Sequence, residues 1–256
     1  MRGEIRVEFE EFVKKEMQKN QKSIPLEFKD NKCPDIVVGK DGVFWFEKAE
    51  RKKHKNDLYE GLLVSKKNEK RIVIILESPH KDEFKKSIKK DDFFDDECEA
   101  NPALGRTGIK LQEYFNDKVV REKLKIEGHY CVILMNSVQY QCSLGEKTKL
   151  YRDCIWLKYW FEKETLNSFE QRLNEYKPNI VVNLCTKGNY KGRRSHLEKC
   201  LKKIPSEIPN KKDGITLREI VSIYVKKVFP KMAIYEGNHP CSWWTNKGID
   251  SITIRE

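Results

Sequence analysis

The chain has 256 residues, of which 36% are charged and 38% hydrophobic, and its formal net charge is +11. That length suits one substantial domain with a small addition, and no run of about 18 apolar residues is present to form a membrane span. The excess of Lys and Arg favours a polyanionic partner, nucleic acid or anionic lipid, and says nothing about fold.

In chain order, residues 4–19 place Ile5, Phe9, Phe12, Val13 and Met17 on one helical face. Residues 36–46 predict two strands joined by Lys40-Asp41-Gly42, an Asp-Gly suited to a hairpin turn. Residues 48–55 are a charged stretch and mark an expected boundary. Residues 1–60 are therefore expected to form a helix and hairpin addition, and residues 61–256 the main domain. No apolar leader opens the chain, and the eight cysteines show no C-x-x-C pair. A cytoplasmic protein with reduced thiols is expected.

From residue 70 the pattern changes. Arg71–Glu77, Tyr130–Asn136, Asn179–Cys185 and Met232–Glu236 are short apolar runs, continuous rather than alternating. Such runs predict strands buried on both faces of a parallel sheet. Helices are expected over 107–115, 152–176, 195–203 and 217–228. The alternation predicts a three-layer α/β/α fold around a mainly parallel sheet of about four strands. Ligands in such sheets bind beyond the carboxyl ends of the strands. Residues 77–80, 136–142, 185–190 and 237–244 occupy those ends.

Each loop carries residues suited to chemistry. Glu77-Ser78-Pro79-His80 offers two ionisable groups around a Pro-fixed turn, with Asp82 and Glu83 just beyond. Gly105-Arg106-Thr107-Gly108 opens a helix: two glycines allow close backbone approach, Thr107 suits a cap, and Arg106 suits a phosphate. Asn136 ends a strand with an amide that can both donate and accept, or can satisfy turn backbone groups. His239-Pro240-Cys241-Ser242 is followed by Trp243 and Trp244, large stacking surfaces.

This ordered set, with Asn183-Leu184-Cys185, resembles the uracil-DNA glycosylase superfamily over roughly residues 70–250, most closely its iron–sulfur type. The resemblance implies hydrolysis of the N-glycosidic bond of a base flipped out of DNA. It implies that Glu77, with His80, positions water and that His239 stabilises the departing base. Ser78, Pro79 and Asn136 would contact the base. Gly105, Arg106, Thr107, Gly108, Ser242, Trp243 and Trp244 would hold DNA and its phosphates. Ser78 stands where the family has Asp, Asn or Ala, Leu76 replaces the leading Gly, and Ser242 falls one place late behind Cys241. The opening cysteine pair of the iron–sulfur type is missing, so no cluster, metal or other cofactor is expected. A site built from Cys33, Cys142, Cys154 and a fourth residue is the minor alternative. The rival to a glycosylase is a catalytically silent nucleic-acid or nucleotide-binding module.

Two further patterns have plainer explanations. Pro34-Asp35 with Glu50-Arg51-Lys52 superficially resembles a metal-dependent nuclease motif, but the second half lies in a charged run. Residues 91–99 are acidic enough to bind a metal, and a solvated loop balancing its Lys-rich flanks accounts for them.

Overall fold

Apolar runs too short for helices can bury both faces only as interior strands. The computed structural model describes residues 11, 32–40, 43–46, 48–54, 56–57, 70–84, 100–115, 118–142, 148–188, 201, 204–209, 214–243 and 251–255. The strands β1 (Ile36–Lys40), β2 (Val43–Phe44), β3 (Lys70–Leu76), β4 (Tyr130–Asn136), β5 (Ile180–Asn183), β6 (Ile234–Glu236) and β7 (Thr253–Arg255) form one mixed sheet. Their spatial order is β2-β1-β4-β3-β5-β6-β7.

The four expected runs make the parallel centre of this sheet. β3 and β4 stay in register from Lys70↔Tyr130 to Leu76↔Asn136, and Ile75 pairs with Asn183 of β5. Their carboxyl ends therefore emerge together along one edge. The sheet has seven strands rather than four because both flanks are extended by antiparallel pairing. β1 pairs with β4, so the hairpin joins the main sheet, and β7 pairs with β6.

The helices are α1 (Lys48–Lys53), α2 (Arg106–Phe115), α3 (Lys118–Lys123), α4 (Thr148–Trp160), α5 (Lys163–Tyr176) and α6 (Leu217–Val228). α6 begins where its sequence dictates: Thr216 and Glu219 form a reciprocal capping box. The single helix expected over 152–176 is two. Glu162 adopts an extended conformation, and its carbonyl accepts from Thr165 and Leu166 to start α5 afresh. α1 is not the solvated boundary expected of a charged stretch. Arg51 is fully buried and donates to Asn101 Oδ1 at 2.7 Å and to the carbonyl of Pro102 at 2.5 Å. The helices expected over 4–19 and 195–203 lie, apart from Glu11 and Leu201, outside the described residues, as does the acidic segment 91–99.

The core gathers the sheet interior with Trp45, Trp156, Trp160, Trp243, Phe115 and Phe169, all essentially inaccessible. At the carboxyl edge, a buried polar network fixes the turn after β4. Arg172 pairs with Asp35 at 2.7 Å and also donates to the carbonyls of Asn136 and Ser137. Tyr176 donates its hydroxyl to the same carboxylate at 2.8 Å. Among the described residues no helix is long and apolar enough to cross a membrane.

Candidate functional site

The residue after β3 is held at its backbone before its side chain does anything. The carbonyl of Glu77 accepts from Ser137 Oγ at 2.7 Å, Trp156 Nε1 at 2.9 Å and the Val138 amide at 3.1 Å. Its carboxylate is 7% exposed and meets three donors from three other elements. The Thr186 amide, just past β5, reaches Oε2 at 3.3 Å. His239 Nε2, past β6, lies 3.4 Å from Oε2, and Arg152 Nη1 of α4 lies 3.8 Å from Oε1. Asn183 and Arg218 set the β5 loop that carries Thr186. The amide of Asn183 donates to the Arg218 carbonyl and Ser222 Oγ, while Arg218 Nε donates to the Cys185 carbonyl at 2.8 Å.

Around this carboxylate opens a cavity of about 510 Å³. Leu76, Glu77, Ser78, Pro79, His80 and Glu83 line one side. Gly105, Arg106 and Thr107 at the start of α2, with Arg152, Thr186, His239, Cys241 and Ser242, complete it. The loop after β6 and the start of α2 are joined by Thr107 Oγ1 and Cys241 Sγ at 3.0 Å.

The electrostatics follow from these contacts. Burial raises the pKa of Glu77, but the charges of His239 and Arg152 and two backbone hydrogen bonds outweigh it and hold the carboxyl below its ordinary value. Burial lowers the pKa of His239, yet Glu77 and Cys241 carry it above the ordinary histidine value. The Cys241 amide donates to Nδ1 at 3.3 Å, which places the proton of the neutral ring on Nε2, facing Glu77. For Cys241, burial opposes ionisation, but hydrogen bonds with His239 and Thr107 draw the thiol below its ordinary value.

Glu83 sits in a 3-10 turn (Lys81–Phe84) on the same cavity wall and behaves oppositely. Its Oε1 accepts from the Ala103 amide at 2.7 Å and its Oε2 from the His80 amide at 3.2 Å. Burial dominates and pushes this carboxyl up to about 8, against those two bonds and the Arg51 charge. Glu83 thus straps the loop after β3 to the segment leading into α2.

The structure brings Glu77, Ser78, Pro79, His80, Gly105, Arg106, Thr107, His239 and Ser242 to one cavity. Three expected residues are elsewhere. Asn136 is 1% exposed, is absent from the cavity lining, and among the described residues has no hydrogen-bond partner for either side-chain amide atom. Gly108 packs internally: a Cβ there would collide with the carbonyl oxygens of Ala103 and Phe46. Trp243 is no exposed stacking surface. It is fully buried, donates Nε1 to the Asn238 carbonyl at 2.8 Å and meets Tyr114 edge-on. Trp244 lies outside the described residues. Arg152 and Thr186 were not foreseen. The signal for Arg152 was a cation two residues ahead of the apolar stretch Cys154-Ile155-Trp156-Leu157; a backbone donor such as Thr186 leaves none.

Among the described residues no three His, Cys, Asp or Glu side chains group as metal ligands. Cys33 and Cys142 are buried free thiols. Cys154 is disulfide-bonded, so the expectation of uniformly reduced thiols fails there. The nuclease-like pattern dissolves as well, since Asp35 is engaged by Arg172 and Glu50 pairs with Lys53 on the surface of α1. Compared with known proteins, the sequence matches no family model and no curated protein.

Proposed function

We propose that the protein is a DNA glycosylase that hydrolyses the N-glycosidic bond of uracil or a modified base flipped out of DNA. Its sheet would be the centre of the α/β/α layers of the uracil-DNA glycosylase superfamily. One observation carries the proposal: three sequence-distant loops, at Glu77, Gly105 and His239, converge on a single cavity beyond the carboxyl ends of β3 and β6.

The chemistry suits such a cavity. As the bond breaks, positive charge develops on the sugar and negative charge on the departing base. An ionised, buried Glu77 stabilises the first and orients the attacking water. His239, whose positive charge Glu77 favours, stabilises the second. Arg106, Thr107 and Ser242 would take backbone phosphates, and the net charge of +11 draws the polyanion in.

A specific observation favours a second possibility, a silent nucleic-acid or nucleotide-binding module. Ser78 cannot act as a base at neutral pH, and the amide expected to read the base edge, that of Asn136, does not line the cavity. The test is base release from single- and double-stranded oligonucleotides carrying uracil, hypoxanthine and other modified bases, with abasic sites revealed by alkali. Release that Glu77→Gln and His239→Ala each abolish supports the enzyme. Salt-sensitive binding without release from any substrate supports the silent module.

A further inference from the structure

Building on the base release proposed above, we infer that Arg152 is the donor that holds the departing base, through a carbonyl oxygen beside the glycosidic nitrogen, and hence that the base is of pyrimidine type. Arg152 lines the cavity from α4, with its side chain only 12% exposed. Its Nε and Nη2 both donate to Asp153 Oδ1, at 3.1 and 3.0 Å, which fixes the plane of the guanidinium. Nη1 faces Glu77 Oε1 at 3.8 Å, an ion pair too long for a hydrogen bond. Among the described residues Nη1 therefore has its hydrogens unspent, on a buried and rigidly held group at the cavity wall.

Other donors on the same wall are engaged within the protein. His239 receives the Cys241 amide at Nδ1 and turns Nε2 to Glu77 Oε2, so it supplies charge while neither ring nitrogen is left for a base. The Ser242 hydroxyl donates to the His239 carbonyl, and the Thr186 amide to Glu77 Oε2. Arg106 is exposed at the start of α2, where a phosphate would lie. The amide of Asn136 does not line the cavity. Arg152 fills the place these groups leave open.

The nearness of Glu77 selects the acceptor. An oxygen already charged at rest, on a phosphate or a carboxylate, would be repelled by the Glu77 carboxylate beside it. A neutral carbonyl oxygen escapes that penalty and gains charge only as the bond breaks. Glu77 serves the sugar carbon in the proposed reaction, so an acceptor beside Glu77 is one beside the glycosidic bond. A pyrimidine of the uracil kind offers its position-2 carbonyl oxygen there; a purine offers a ring nitrogen. In the proposed step the C1′–N1 bond breaks with its electron pair going to the base and spreading onto that oxygen. Arg152 holds the oxygen and keeps its own proton. Water adds to C1′ and gives its proton to Glu77, which passes it to solvent, and the base anion takes a proton from solvent.

The experiment is single-turnover base release by the full chain, Arg152→Gln and Arg152→Lys, from oligonucleotides carrying uracil, 5-fluorouracil or hypoxanthine. Fluorine makes 5-fluorouracil the better leaving group, so its departure depends less on Arg152. Arg152→Gln should lose roughly 100-fold on uracil and no more than about tenfold on 5-fluorouracil, with Arg152→Lys between it and the parent. A merely structural role would cost both bases alike. Equal losses, full uracil release by Arg152→Gln, or release confined to hypoxanthine overturns the inference. A binding arm needs neither turnover nor a variant. It uses 2′-fluoroarabino oligonucleotides, whose glycosidic bond resists cleavage, with uracil, 2-thiouracil or 4-thiouracil. Sulfur at position 2 should weaken binding at least roughly tenfold and sulfur at position 4 less than about threefold. Equal affinity for the two thio bases overturns the inference whether or not the variants fold. Silence of the unaltered chain on every base would overturn the glycosylase activity itself, and the binding arm would still decide on Arg152.

Discussion

His239 Nε2 stands 3.4 Å from Glu77 Oε2, and each residue shifts the other's proton equilibrium toward the charged form. The two come from loops 162 positions apart in the chain, brought together because β3 and β6 end at the same edge of the sheet, on either side of β5. Neither side chain is exposed enough for water to screen the pair fully.

Removing the Glu77 charge should therefore leave His239 to burial and Arg152, which lower its pKa, against Cys241, which raises it. In Glu77→Gln the His239 titration midpoint, followed by the ring-proton resonances, should move downward. A midpoint unchanged from the parent would show that the contact has no electrostatic content. Base release by the same variant should fall roughly 100- to 1,000-fold, the usual cost of losing one preorganised charge in a dry site.

Glu83 should make the fold sensitive to alkali. Its folded-state pKa, about 8, is raised above its unfolded value, so its contribution is fully present below about pH 4.5 and is lost as pH rises to about 8. Within that window the slope from this group approaches about 1.4 kcal/mol per pH unit. Chemical denaturation at a series of pH values should show the decline, and Glu83→Gln should flatten it. His239, also raised, adds loss at the upper end of the same window.

Gly105 and Gly108 should respond differently to alanine. A Cβ at Gly105 meets nothing within 4 Å, so Gly105→Ala should change thermal stability by less than about 0.5 kcal/mol. Gly108→Ala drives a methyl into two backbone carbonyl oxygens and should cost about 1–3 kcal/mol. Equal melting temperatures for the two variants would contradict the packing of α2 described here.

Arg172→Met should be severely destabilising, by about 3–5 kcal/mol, because it strands the buried Asp35 carboxylate. Asn136→Leu should do the reverse. It removes an amide buried without partners and should stabilise by about 1 kcal/mol. Urea unfolding of the two variants against the parent measures both effects.

The rim of the sheet was legible because parallel, doubly buried strands write themselves as unbroken apolar runs, and the loops after β3, β5 and β6 reach the cavity by topology while the turn after β4 does not. β7 was not legible: it has three residues, and Ile254 at its centre is exposed, so no burial pattern marks it. The break between α4 and α5 hid for a related reason, since Phe161 and Glu162 carry neither Gly nor Pro. Trp243 misled because residue type suggests a stacking surface equally well at a surface or in a core, and only tertiary packing decides. The strap made by Glu83 depends on a carboxyl-to-amide bond spanning 20 positions, to Ala103, which no local spacing encodes.

Trp156 has a use beyond packing. Its indole N–H donates to the Glu77 carbonyl, and its ring lies 4.9 Å from that of Trp160 at an interplanar angle of 11°. Two indoles so close and nearly parallel couple their electronic transitions, and one of them is tethered to the backbone of the cavity's central carboxylate. A ligand that moves the Glu77 carbonyl should alter that coupling, a change near-ultraviolet circular dichroism would read without any label.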